Sequence, residues 1–228
     1  MVNDMNTRRE ALRKVLLRIP GFLLIGVIFF LPAGTLAYWQ AWVYLGIIFI
    51  PMLFVLVYFL RVDPHFLERR MRMREQEQAQ KKIIALSTVF LLLAFLLPGL
   101  DRRLGWSQVP VWLVILADGL VLLSYGLVFL VFRENRYASR VVEVEDQQQV
   151  ISSGPYSLVR HPMYLAVGVM YLVSPLALGS WWALIPAAAI LPVLVFRTLN
   201  EEKVLQRDLP GYTDYMQRVR YRIIPAVW

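Results

Sequence analysis

The chain has 228 residues, of which 58% are hydrophobic, 18% charged and 13% aromatic, with a formal net charge of +8. That balance excludes a disordered chain and an ordinary soluble domain, and it predicts an integral membrane protein built from helices. The absence of cysteine excludes disulfides, thiolate nucleophiles and cysteine metal sites. The only two histidines, His65 and His161, are too few for the histidine clusters of membrane di-iron enzymes, and no Gly-x-Gly forms a dinucleotide fingerprint.

Apolar runs without a charge cover residues 20–38, 41–60, 83–100, 162–179 and 181–196; a sixth, 109–132, is broken only by Asp118. A helix needs about 20 apolar residues to cross a bilayer core, and about 17 still suffice. Runs 20–38, 41–60 and 109–132 are long enough, whereas 162–179 and 181–196 are marginal and read as a short hairpin that dips rather than spans. The prediction is an all-α bundle with five to six membrane segments. Arg8, Arg9, Arg13, Lys14 and Arg18 precede the first run, and basic residues crowd 61–82, 133–160 and 197–222; only Arg102 and Arg103 fall on the opposite side. This places both termini and the long loops in the cytoplasm, in an inner or plasma membrane. The first run is too long, and lacks the cleavage site, for a removable signal peptide. The positive charge therefore reads as topology and affinity for anionic headgroups, and nucleic acid is not an expected partner.

Residues 1–132 read as scaffold. Residues 38–42 (YWQAW) suit an aromatic turn anchored at the membrane interface. Residues 66–82 are charged helix formers that suit a helix lying among headgroups, and His65 reads as a capping or surface residue. Asp118, mid-membrane, has two equal readings: a polar contact in a ligand cavity, or a buried interhelical hydrogen bond made by the neutral acid.

Residues 133–228 differ in kind, because polar residues gather at helix ends. Arg133, Glu134, Asn135, Arg136 and Tyr137 close the fourth run, and residues 141–156 alternate at first as an extended segment does. Gly154-Pro155 marks a turn, and Arg160-His161 precede Pro162, which suits the first turn of a helix. The last run continues through Arg197 to Glu201 and Glu202. Arg197 and Glu201, four residues apart, share one face, and Glu202 points about 100° further round. Leu209-Pro210-Gly211 ends that helix before a basic, aromatic tail containing Tyr212, Tyr215, Arg218, Arg220 and Arg222. A hairpin brings Arg160 and His161 close to Arg197, Glu201 and Glu202, a charge set suited to a zwitterionic small molecule. Snorkelling accounts for the arginines but poorly for two adjacent glutamates at a membrane edge.

The ordered set GPYSLVRHPMY (154–164), RTLNEEKVL (197–205) and LPGYTDYMQRVRYRIIP (209–225) resembles the isoprenylcysteine carboxyl methyltransferase family. More broadly it is similar to the membrane methyltransferases that include phospholipid methyltransferases. The resemblance covers roughly residues 133–228. It implies S-adenosylmethionine as methyl donor, bound without a soluble-type Rossmann domain and without a metal. Carried over by motif, Gly154, Tyr156, Arg160, His161, Pro162, Tyr164, Glu201 and Glu202 would line the donor site. His161 and Arg160 would face the methionine carboxylate, and Glu201 or Glu202 the amine or ribose hydroxyls. Arg197, with Asn135 and Arg136, would orient an acceptor carboxylate.

A carboxylate acceptor is already nucleophilic, so catalysis would rest on positioning and exclusion of water. An amine acceptor must lose a proton, which a nearby glutamate would take. Of these, carboxyl methylation of an isoprenylcysteine-like lipid leads phospholipid N-methylation on motif resemblance. A membrane NADPH-dependent reductase and a non-enzymatic scaffold or transporter are the readings from other classes. A lipid-like acceptor and membrane lipids are the expected partners.

Overall fold

The computed structural model describes residues 19–64, 66–67, 78–138, 144 and 147–228, with the side chains of 19–23 and 78–84 left aside. His65, most of the expected headgroup helix over 66–82 and the start of the extended segment over 141–156 (141–143, 145 and 146) lie outside the described residues. What is described is all-α: α1 (Ile19–Ala33), α2 (Trp39–Val62), α3 (Gln78–Leu104), α4 (Val111–Glu134), a 3-10 turn (Gly154–Ser157), α5 (Pro162–Ala177), α6 (Leu184–Asp208) and α7 (Tyr212–Arg218).

Among the described residues, four helical stretches are long and apolar enough to cross a membrane: Trp39–Val62, Ala85–Leu104, Val111–Glu134 and Leu184–Asp208. The described side chains of α1 cover the shorter apolar stretch Leu24–Ala33, and α5 is also short. The last segment, marginal by its apolar run alone, joins the long set because its helix continues through Arg197 as far as Asp208. The aromatic stretch expected as a turn is the start of α2 instead. Gly34, at φ +64°, stops α1, and Ala37 N–H donates to Thr35 Oγ1 at 3.0 Å, so the reversal is complete before Trp39.

From α1 to α6 successive helices reverse direction, so that Tyr38, Asp101 and Ser180 come to one end of the bundle. Packing runs from α2 to α4, α5, α6, α3 and α1, with α4 on α5 the most extensive interface. Small residues allow close approach. Ala33, Ala41, Ala117 and Ala177 lie in one core with Phe29, Tyr38, Tyr44, Val121 and Leu178. Gly99 of α3 shows the limit: a Cβ there would stand 2.7 Å from the Phe29 carbonyl oxygen of α1. Leu31, Ile50, Leu123 and Phe196 point outward, as lipid-facing side chains do.

One end of the bundle is tied by Asp101, which is 1% exposed. It accepts from Ser107 N–H at 2.7 Å, Ser107 Oγ at 2.6 Å and Ser180 Oγ at 2.5 Å, joining α3 to the α5–α6 hairpin tip. Tyr38 Oη donates to the Leu178 carbonyl at the same end. Trp39, Trp42, Trp106, Trp112, Trp181 and Trp182 are exposed around this end, an aromatic belt at one interface. Arg160, His161 and the helix ends that surround them occupy the other.

Candidate functional site

The site forms where α5 begins. Pro162 takes the first helical position, where a missing N–H leaves nothing unsatisfied, and His161 caps it. The two residues before it are held by the tail: Arg160 N–H donates to the Tyr221 carbonyl at 2.9 Å and His161 N–H to the Arg222 carbonyl at 2.7 Å. Arg160 Nη1 donates to the carbonyls of Val219 and Arg220, both at 2.8 Å. The tail thus wraps the doorstep of α5.

Two faces of α6 meet this doorstep. Glu202, its side chain 3% exposed, accepts from Arg160 Nε and Nη2 at 2.7 Å, both on Oε1. Its Oε2 accepts from Arg222 Nε at 2.8 Å. Burial opposes a charge here, but two guanidinium partners and the His161 ring offset it. Glu201, one residue on, turns to the other side. Its carboxylate accepts from the Tyr164 hydroxyl, which also accepts from Arg197 Nε at 2.8 Å. His161 bridges the two glutamates, with Nε2 3.3 Å from Glu202 and Nδ1 3.9 Å from Glu201, and its ring stacks on Tyr164. Arg160, His161, Pro162, Tyr164, Arg197, Glu201 and Glu202 therefore form one cluster.

The other residues singled out from the sequence sit at the end of α4. Asn135 Nδ2 donates to Tyr156 Oη at 2.9 Å, and Ser153 Oγ donates to the Glu134 carboxylate. Gly154 has φ +54°, and a Cβ there would lie 3.1 Å from Glu134, so this turn is built around a side chain of α4. Arg136 is exposed, and Asn135 turns to Tyr156 rather than to Arg197. The groups are linked through the tail: Tyr215 Oη donates to the Tyr156 carbonyl at 2.7 Å, and the Tyr212 and Tyr215 rings stand 5.7 Å apart.

Two residues of that tail belong to the site although they look like ordinary tail in the sequence. Arg222 supplies the second cation on Glu202. Tyr212 is 4% exposed, and its hydroxyl has no hydrogen-bond partner among the described residues. Burial pushes its phenol well up, and the nearby Glu202 and Glu201 charges push the same way, so it stays a neutral donor. The Asn200 side-chain nitrogen, next to Glu201, is likewise buried without a partner. Spacing in sequence gives no hint of Arg222, because an arginine beyond a membrane helix is first read as an interfacial anchor.

Residues 112–210 match a family model described as phospholipid methyltransferase. Over those residues the chain is similar to phospholipid methyltransferases. The match covers less than half of the chain, from the start of α4 to the end of α6, and includes all seven residues of the cluster. No curated protein matches the chain. It is a membrane methyltransferase, and enzymes of the phospholipid methyltransferase family use S-adenosylmethionine. The polar groups around the cluster fit that molecule, which carries an ammonium, a carboxylate and hydroxyls. Glu201 and Tyr212 offer an acceptor and a neutral donor, and the orphaned Tyr212 and Asn200 groups are buried polar atoms of the kind a polar ligand satisfies. Arg160, in contrast, already spends its guanidinium on Glu202 and two carbonyls.

Proposed function

We propose that this methyltransferase moves a methyl group from S-adenosylmethionine to the amine headgroup of a membrane phospholipid. The observation that carries the reading is that the family-matched segment holds both halves of one charged cluster at the edge of a two-helix hairpin. Glu202 lies 18 residues into α6, about 27 Å from its start at 1.5 Å per residue. That is close to the roughly 30 Å of a bilayer core, so the cluster stands near headgroup height when the hairpin tip lies at the far interface. The basic residues of the N-terminus, long loops and tail support a cytoplasmic site.

Bound S-adenosylmethionine supplies an electrophilic methyl group. The chain's own residues divide the remaining work. The Arg160–Glu202–Arg222 network is a brace that fixes the doorstep of α5. Glu201, its side chain 25% exposed, is the carboxylate turned toward a ligand, and Tyr164 and Arg197 fix its direction. It is placed to hold an ammonium or to accept the proton that an amine must shed before it attacks. Tyr212 and Asn200 supply hydrogen bonds to the donor, and Gly154 and Tyr156 form the wall between them and α4.

Carboxyl methylation of an isoprenylcysteine-like lipid is the second reading. It is favoured by the ordered motifs 154–164, 197–205 and 209–225, and would use Arg197, Asn135 and Arg136 to orient the carboxylate. The test is incubation of the purified protein in vesicles with radiolabelled methyl donor and a mixed panel of phosphatidylethanolamine, prenylcysteine and fatty acid. Label on the phospholipid amine supports the proposal, and label on prenylcysteine replaces it with the second reading. Saturable binding of a nicotinamide cofactor, with no methyl transfer to any acceptor, would overturn both.

A further inference from the structure

The tail beyond the family-matched segment folds back on itself. Three successive backbone N–H groups, of Arg222, Ile223 and Ile224, donate to the Trp228 main-chain oxygen at 2.9, 3.0 and 3.1 Å. Trp228 N–H returns to the Ile224 carbonyl at 3.1 Å, closing a compact loop. That loop puts the Trp228 ring against Arg222, whose guanidinium carbon lies 5.1 Å from the ring centroid. The side chain of Arg222 is 31% exposed, and its Nε makes the 2.8 Å bond to Glu202. An arginine at that exposure has many rotamers in water, and only a few of them reach Glu202.

We propose that Trp228 and Arg222 are positioning residues for the methyl-donor site: the Trp228 ring selects the Arg222 rotamer that completes the Glu202 brace. The chain of contacts is short. Trp228 faces Arg222, Arg222 holds Glu202 Oε2, and Glu202 Oε1 holds Arg160 and His161 at the start of α5. The same tail backbone that Trp228 folds accepts the N–H groups of Arg160 and His161. A residue outside residues 112–210 thereby sets the geometry of residues inside them. This inference rests on the methyl-donor reading of the cluster.

The experiment measures binding of S-adenosylhomocysteine to the full chain in detergent by calorimetry, for the wild type and for Trp228→Leu, Trp228→Phe, Arg222→Ala and Trp181→Ala. Trp228→Leu keeps apolar bulk and loses the ring face, and is expected to weaken binding about 3- to 30-fold, the range of a cation–π contact. Trp228→Phe keeps a ring and is expected to stay within about 2-fold of the wild type. Arg222→Ala is expected to lose about 10- to 100-fold, as a charge-assisted hydrogen bond does. Trp181→Ala, at the far end, controls for loss of a tryptophan alone and is expected to bind normally. Leu and Phe variants of equal affinity would overturn the inference while leaving the donor site intact. A wild-type protein that binds no S-adenosylhomocysteine would overturn the donor reading itself.

Discussion

Replacing Glu202 with leucine removes the charge on which the cluster converges. Arg160 is 5% exposed, and it would keep a buried guanidinium facing a side chain that accepts nothing. Breaking a buried pair on one side costs about 3–5 kcal/mol, because the remaining charge is uncompensated. For a protein of this length, 1 kcal/mol moves a thermal midpoint by roughly 2–4 °C, so Glu202→Leu is expected to lower it by about 6–20 °C. The decisive comparison is the double variant Arg160→Met/Glu202→Leu. With both charges gone no stranded ion remains, and matched apolar replacements of buried pairs are often close to neutral. The Val219 and Arg220 carbonyls lose their donor, so recovery to within about 2 kcal/mol of the wild type is expected rather than full recovery. Differential scanning fluorimetry in one detergent ranks the three proteins, and calorimetry with S-adenosylhomocysteine follows the site. The double variant should regain stability without regaining ligand binding, since His161 and Arg222 have also lost their acceptor. A Glu202→Leu midpoint within 2 °C of the wild type, or a double variant no better than the worse single one, would refute the brace.

Tyr164→Phe removes the hydroxyl between Arg197 and Glu201 and should weaken donor binding about 5- to 100-fold, read by the same calorimetry. Unchanged affinity would show that Glu201 does not depend on that bond. Asp101→Ala strands donors from Ser107 and Ser180 at the opposite end; it should destabilise the protein by about 2–4 kcal/mol while leaving ligand affinity unaltered in the folded fraction. Gly154→Ala combines a left-handed backbone with a contact on Glu134 and should cost about 1–3 kcal/mol. Shortening the neighbour, in Gly154→Ala/Glu134→Ala, should return only part of that cost in a melting experiment, because the backbone penalty remains.

Hydropathy and helix grammar make much of this arrangement legible. The helical hairpin follows from two apolar runs around Gly179-Ser180, and Pro162 marks the start of α5 as its chemistry requires. The 3.6-residue turn separates Glu201 from Glu202, and the structure uses that separation: one carboxylate faces Tyr164 and the other Arg160. Other features depend on distant partners. Asp101 sits in a Leu-Asp-Arg-Arg run that reads as a hydrophilic helix end, but its partners lie 6 and 79 residues away. Arg222 reaches Glu202 only because the Leu209–Gly211 turn sends the tail back across α5. Asp118 is buried with Oδ1 lacking a partner among the described residues, so neither of its two sequence readings gains a named contact. The family match brings the phospholipid amine ahead of the prenylcysteine carboxylate, a choice the shared Arg-His-Pro and Glu-Glu pairs do not make, because the proposal puts them at the donor and not at the acceptor.

The tryptophan belt has a consequence for where chemistry can happen in a membrane. Six exposed indoles mark one end of the bundle, and the α5–α6 hairpin carries the cluster a set height above them. The protein is then a gauge block standing on one leaflet, and bilayer thickness becomes a variable of the reaction. Long acyl chains would drown the cluster in hydrocarbon, and short ones would leave headgroups beneath it. Methyl transfer measured across vesicles of increasing chain length should peak where the core is about 27 Å thick, and a rate indifferent to thickness would show that the bundle tilts or the bilayer deforms to keep pace.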